Sequence, residues 1–142
     1  MTSVAAVRVS IRKAIETTLL NAMNAQTPKI ACEFENLEFD ATKVSEYVQM
    51  SMHYAPTIAL VMGANPRPVA SGFALIVARA QSSSGPDRAD RISALVDAAF
   101  PYNAALARDG ISVIIGLNDI VDGARDGPWW MVPLRVNWKV WN

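Results

Sequence analysis

The last fourteen residues of this 142-residue chain hold all four of its tryptophans, Trp129, Trp130, Trp138 and Trp141, and they admit few folds. Successive side chains of a strand point to opposite faces, so alternate positions form a set. The even positions read Trp130, Val132, Leu134, Val136, Trp138 and Val140, with no polar member. The odd positions read Trp129, Met131, Pro133, Arg135, Asn137, Lys139 and Trp141, a polar middle with apolar ends. This predicts one long strand with one face in a core and the other turned elsewhere. Trp130 and Trp138 then belong to the core, while Trp129 and Trp141 are unexplained by it. Pro133 cannot donate to a ladder, which predicts an edge strand or a bulge at that point.

The rest of the chain supplies partners for that strand. Ser3 can cap a helix running to about Asn24, with Val4, Val7, Ile11, Ile15, Leu19 and Ala22 as its apolar stripe. Val9 and Leu20 lie on its opposite side, and Gln26-Thr27-Pro28 ends it. Ile30, Cys32 and Phe34 alternate with Ala31, Glu33 and Glu35 in a first strand. A second covers about 46–54, with Val48, Met50, Met52 and Tyr54 inward and Tyr47, Gln49, Ser51 and His53 outward. A third, at about 69–80, is apolar on both faces and should be central. Gly85-Pro86-Asp87 opens a second helix, whose buried side is Ile92, Leu95, Val96 and Ala99 and which Pro101 stops. Asp109-Gly110 is a two-residue hairpin turn between short apolar strands. The stretch "NDIVDGARDG" reads as a loop leading into the tryptophan strand. The order is α-β-β-β-α-β-β-β, an α+β fold with two helices packed on a largely antiparallel sheet of about six strands.

Length predicts a single domain over residues 1–142, able to bury roughly 68–70% of its unfolded surface. Thirteen basic residues balance thirteen acidic ones, which argues against a protein built to grip nucleic acid. The acids Glu33, Glu35, Glu38, Asp40 and Glu46 cluster, as a solvated edge does. One cysteine allows no internal disulfide and fits a reducing compartment. Arg8, Arg12 and Lys13 interrupt the N-terminus, so it does not read as a signal peptide, and no apolar run approaches the roughly 20 residues of a membrane span. The expectation is a soluble intracellular protein.

Catalytic chemistry is thinly represented. The lone histidine, His53, falls on the polar side of its strand, where a solvated histidine is the plainer reading than a general base. Cys32 alternates with Ile30 and Phe34 as a buried small apolar residue rather than a nucleophile. One His and one Cys cannot build an ordinary zinc site. Asp119, Asp122 and Asp126 miss the ligand spacing of a calcium loop, and no phosphate-cradling glycine motif occurs. No catalytic, metal or cofactor residue is assigned.

What the sequence does carry is surplus apolar surface. Val9 and Leu20 lie behind the first helix, and Trp129 and Trp141 lie off the core face. "APTIALVMGANP" holds Ile58, Leu60, Val61 and Met62 where a loop should be polar. That segment is either an arm that packs on a neighbouring subunit or partner, or the extension of one long hairpin whose residues fill the chain's own core. Three such features on a small chain point to an obligate assembly, with these eight residues as its contacts.

The chain resembles the tail terminator, or minor tail, proteins of long-tailed bacteriophages. The resemblance rests on order and spacing: the helix "VRVSIRKAIETTLLNAM", then "CEFENLEF", "SGFALIVARA", "DRISALVDAAFP", "DGISVII" and "WWMVPLRV". Segment 56–66 is more apolar than the family's usual loop, and the last strand is longer and richer in tryptophan. The resemblance implies a non-enzymatic virion protein at the head-proximal end of the tail, assembled in the host cytoplasm. It would form a hexameric ring that caps the tube protein and joins the head connector, with DNA passing through the lumen. A head-completion or neck protein is the alternative within the virion. From another class, a small oligomeric enzyme or ligand-binding ring would be marked by a pocket with paired carboxylates.

Overall fold

A computed structural model describes residues 4–35, 37–55, 58–60 and 67–141, by backbone alone at 4–6, 58–60, 67–69, 84 and 141. The expectations on Ser3, Val61 and Met62 lie outside these residues, as do those on the side chains of Val4, Ile58, Leu60 and Trp141. Helix α1 spans Val4–Asn24 and buries Val7, Ile11, Ala14, Ile15, Leu19 and Met23, a stripe at three- and four-residue spacing. Helix α2 spans Asp87–Ala99 with Ala89, Ile92, Ser93 and Val96 buried. Asp87 and Asp90 stand in its first turn, where carboxylates favour the positive end of the helix. Phe100, fully buried just past its C-terminus, anchors the exit.

The strands are β1 (Ala31–Phe34), β2 (Glu46–Tyr54), β3 (Ile58–Leu60), β4 (Arg67–Gln81), β5 (Ala105–Arg108), β6 (Ile111–Ile120), β7 (Ala124–Asp126) and β8 (Trp129–Trp141). They form one sheet whose main path runs β1-β2-β4-β8-β6-β5, while β3 pairs with β4 and β7 with β8. Every pairing is antiparallel except β1 with β2. The fold is α+β, two helices on a largely antiparallel sheet, as the periodicities predict. Six strands make the main path; the two short additions, β3 and β7, occupy stretches that sequence composition marks as connections. Asp109 and Gly110, both at positive φ (51° and 80°), close the β5–β6 hairpin as the Asp-Gly pair predicts.

Both helices share one face of the sheet. Their stripes meet Val48, Met50 and Met52 of β2, Ala74, Ile76 and Ala78 of β4, and Leu134, Val136, Trp138 and Val140 of β8 in one core. The alanines of β4 sit on this face, and their small size lets α2 lie close over β4 and β8. Each large aliphatic side chain buried there contributes about 1.5–3 kcal/mol. Trp138 is 2% exposed, as its parity requires. It stands opposite Gly72, and its ring covers the glycine: a Cβ there would lie 2.9 Å from the indole and 2.0 Å from the His53 carbonyl oxygen. Tyr54, the other cross-strand neighbour of Gly72, meets Trp138 edge-on at 5.6 Å.

Four expectations are corrected. Trp130 is only half-buried, at the margin of a smaller cluster with Ala80, Ala89 and Val132. Tyr47, placed outward by parity, is 5% exposed, because Phe39 and Trp129 close over it on the far side of the sheet. The stretch 118–127 is no simple loop: β6 continues to Ile120 and β7 returns along β8. Pro133 is neither at an edge nor at a bulge of its own strand. β8 is interior, with β4 along one side and β6 then β7 along the other. Pro133 falls between the last β6 pair (Ile120 with Leu134) and the first β7 pair (Ala124 with Met131). Its carbonyl accepts from Val121 N at 2.9 Å, so its nitrogen faces the same gap, where the ladder changes partner. The irregularity of register lies in β6, between Ile115 and Asn118.

Candidate assembly surfaces

Three surfaces are left by this architecture. The first is the sheet face opposite the helices. Phe73, Leu75 and Val77 of β4 and Met131 and Pro133 of β8 lie on it, partly or fully shielded, among Gln49, Arg79, Arg135, Asn137 and Lys139. Its side chains hold one another. Trp129 meets Tyr47 edge-on at 5.1 Å, Arg135 lies 5.2 Å from the Phe73 ring centroid, and Arg79 joins Gln49 and Asp126. Trp129 therefore has a partner within its own chain and keeps a part of its surface exposed.

The second surface is a groove of about 290 Å³ beside α1, lined by Arg8, Val9, Arg12, Lys13, Glu16 and Tyr54. Val9 is 56% exposed here, and Leu20 stands outward about three turns along the same helix. Where β1 ends at Phe34, the edge of β2 is left open, and the Glu35 carboxylate fills that gap by accepting from Met52 N at 2.6 Å. Arg12 reaches the same carboxylate at 3.1 Å and lies 3.9 Å from Glu16. Burial raises the Glu35 pKa, but the Met52 N–H and Arg12 more than offset this and hold it below the ordinary value. Arg8 pairs with no carboxylate among the described residues and stacks over the Tyr54 ring, 4.4 Å from its centroid. Arg88 grips Glu46 with two hydrogen bonds and Asp40 caps the short 3-10 turn Ala41–Lys43. So three of the five clustered acids, Glu35, Asp40 and Glu46, have internal tasks.

The third surface is the outer end of β6. β5 covers only Ile111–Ile114, and past Ile115, where β8 still pairs along one side of β6, no strand covers its other side among the described residues. Leu117 projects there at 69% exposure, with Ile120 and Val121 beyond it and Tyr102 beside it. Asn118 is tied down by Asp97 and the Phe100 carbonyl, and Asn137 donates to the Leu117 carbonyl and to Asp119. A second groove of about 410 Å³ opens here, lined by Ser71, Tyr102, Gly116, Leu117, Asn137, Trp138 and Lys139. Sequence reasoning missed this surface because Leu117 and Asp119 belong to a stretch with no regular alternation; the bulge at Ile115–Asn118 breaks the parity that would have flagged them.

The candidate chemical groups are placed as follows. His53 is exposed, 3.1 Å from Ser51 Oγ, with its ring stacked on Phe73 at 4.7 Å. Neither groove includes it. Burial pushes the Cys32 thiol up to about 11, so it is protonated at neutral pH. Asp119 and Asp126 are engaged by Asn137 and Arg79, and no cluster of three or more metal-ligating side chains gathers among the described residues. No described helix is long and apolar enough to cross a membrane. Of the predicted contacts, Val9 and Leu20 share the outer side of α1, and Trp129 lies on the opposite sheet face. The backbone of residues 58–60 pairs with β4, and that of Trp141 pairs with Val69 on the same strand.

A family model described as "Phage tail terminator protein" matches residues 10–138. The chain belongs to this phage tail terminator family, which makes it a structural component of the virion tail that contacts other tail components. A solved structure at 22% identity, covering 92% of this chain and 92% of its own, has the same fold at a TM-score of 0.76. No curated protein matches the chain.

Proposed function

We propose that this protein caps the finished tail tube as a ring of six copies at the head-proximal end of the tail. The ring stops polymerisation of the tube protein and offers a platform to the head connector, and genomic DNA passes through it. The observation that carries this reading is the family match across residues 10–138, which leaves no large part of the chain outside the terminator pattern. Exposed apolar side chains on two separate flanks, Val9 and Leu20 on α1 and Leu117 and Ile120 on β6, fit a subunit that contacts neighbours on both sides. Val9, Leu20, Trp129 and Trp141 are assigned to contacts with subunits or with the tube and connector, and Ile58, Leu60, Val61 and Met62 to the same set.

The test is tube polymerisation itself. Purified protein added to growing tubes should stop elongation, and electron microscopy of the capped tails should show one ring of six copies at the end nearest the head. A count of five or twelve, or tubes that elongate past the added protein, would overturn the reading.

A further inference from the structure

We propose that neighbouring copies pack head to tail, the open end of β6 in one copy seated in the α1 groove of the next; this rests on the ring reading above. The two surfaces lie on opposite flanks of the sheet. The groove borders β2 and the open end belongs to β6, with β4 and β8 between them, roughly 14 Å across at the usual strand spacing. Distinct patches on opposite flanks form a heterologous contact, the kind that closes into a ring under rotation.

Their charges are complementary. In the groove Arg12 is consumed by Glu35 and Glu16, which leaves Arg8 and Lys13 without an ion pair among the described residues, around the exposed Val9. Asp119 lies two residues past the exposed Leu117 and Asp122 just beyond the end of β6, and neither has an ion pair among the described residues. Arg135, which faces Asp119 across the ladder, is held over Phe73. An apolar projection followed by two carboxylates thus meets an apolar hollow in which cations are in excess. Pairing groove with groove would instead bring together two surfaces on which Arg8, Arg12 and Lys13 outnumber Glu16 and Glu35. The β2 edge is already plugged by Glu35, so the contact is made by side chains and adds no strand to the sheet.

Charge reversal tests this with the full chain, free and on tail-tube ends. The variants are Arg8→Asp with Lys13→Asp, Asp119→Lys with Asp122→Lys, and all four changes together, each checked for folding by its melting curve. Either reversed pair should lower ring formation about tenfold or more, read by light scattering and by counting copies at tube ends. The four-fold variant, and a 1:1 mixture of the two reversed pairs, should restore rings, because every contact in them again joins opposite charges. Rings formed equally well by either reversed pair would overturn the head-to-tail contact and leave the ring reading standing. A wild-type protein that forms no ring even on tubes would overturn both. Asp119 accepts a hydrogen bond from Asn137, so if its replacement unfolds the chain, Lys13→Asp against Asp122→Lys carries the same test.

Discussion

Gly72 and Trp138 show how one backbone position and one side chain specify each other. Any Cβ at residue 72 would fall 2.0 Å from a backbone oxygen of β2, which has no room to give within a three-strand ladder. Gly72→Ala should therefore cost more than about 4 kcal/mol, at the severe end for single changes. Trp138→Ala should cost about 3–5 kcal/mol through the cavity left between Tyr54 and the core. Trp129, half-buried against Tyr47, should cost clearly less on truncation, and the comparison of the three melting curves in denaturant or heat checks the ranking. Glu35 gives a pH signature. Its folded pKa is lowered, so its contribution is present above the ordinary carboxylate value and is lost as pH falls through the folded one. Glu35→Gln should therefore remove part of the acid-side fall in stability and leave the neutral-to-alkaline limb unchanged. Equal slopes below pH 5 in both proteins would refute the role given to that carboxylate.

At the scale of elements, the two helices, β2 and the tryptophan strand were legible because each has a strong period of its own. Residues 46–54 are bounded in the structure as the alternation predicts, and α1 ends at Asn24. What was not legible came from long-range pairing. β7 is three exposed residues, Ala124–Asp126, that become a strand only because β8 offers them a ladder. Pro133 looked like an edge signal, since nothing in its neighbourhood reveals that β6 hands over to β7 there. The surplus apolar flank of α1 could be read from Val9 and Leu20, whereas the β6 flank was hidden by its bulge. Segment 58–62 stands between the two. Its backbone at Ile58–Leu60 continues the β2–β4 hairpin, pairing with 67–69. Leu60→Asp with Met62→Asp decides what the side chains do. A segment that serves assembly gives a folded, soluble subunit that no longer caps tails, whereas one that fills the chain's own core gives a protein that does not fold. A variant that folds and caps normally would remove the segment from both roles.

For the whole molecule, the charge pattern bears on how a ring could let DNA through without holding it. The formal net charge is zero, and five of the arginines, Arg12, Arg79, Arg88, Arg91 and Arg108, are paired with carboxylates of the same chain. Binding to duplex DNA draws its strength from the counterions that free cations displace, so a chain of zero net charge with five of its thirteen cations already paired has less to offer. The head-to-tail contact would go further, because it draws Arg8 and Lys13 into pairs with the next copy. The protein should accordingly bind duplex DNA no tighter than the weak end of the non-specific range, about 10⁻⁴ M near physiological salt, with a shallow dependence on salt concentration. Fluorescence anisotropy of a labelled duplex titrated with the protein, at several salt concentrations, measures both. The Arg12→Gln variant sharpens the comparison. It removes one cation but frees the carboxylates of Glu16 and Glu35, so affinity should fall rather than rise. A micromolar affinity that weakens steeply with added salt would mean that a basic surface faces the DNA, and that the ring holds its cargo instead of passing it.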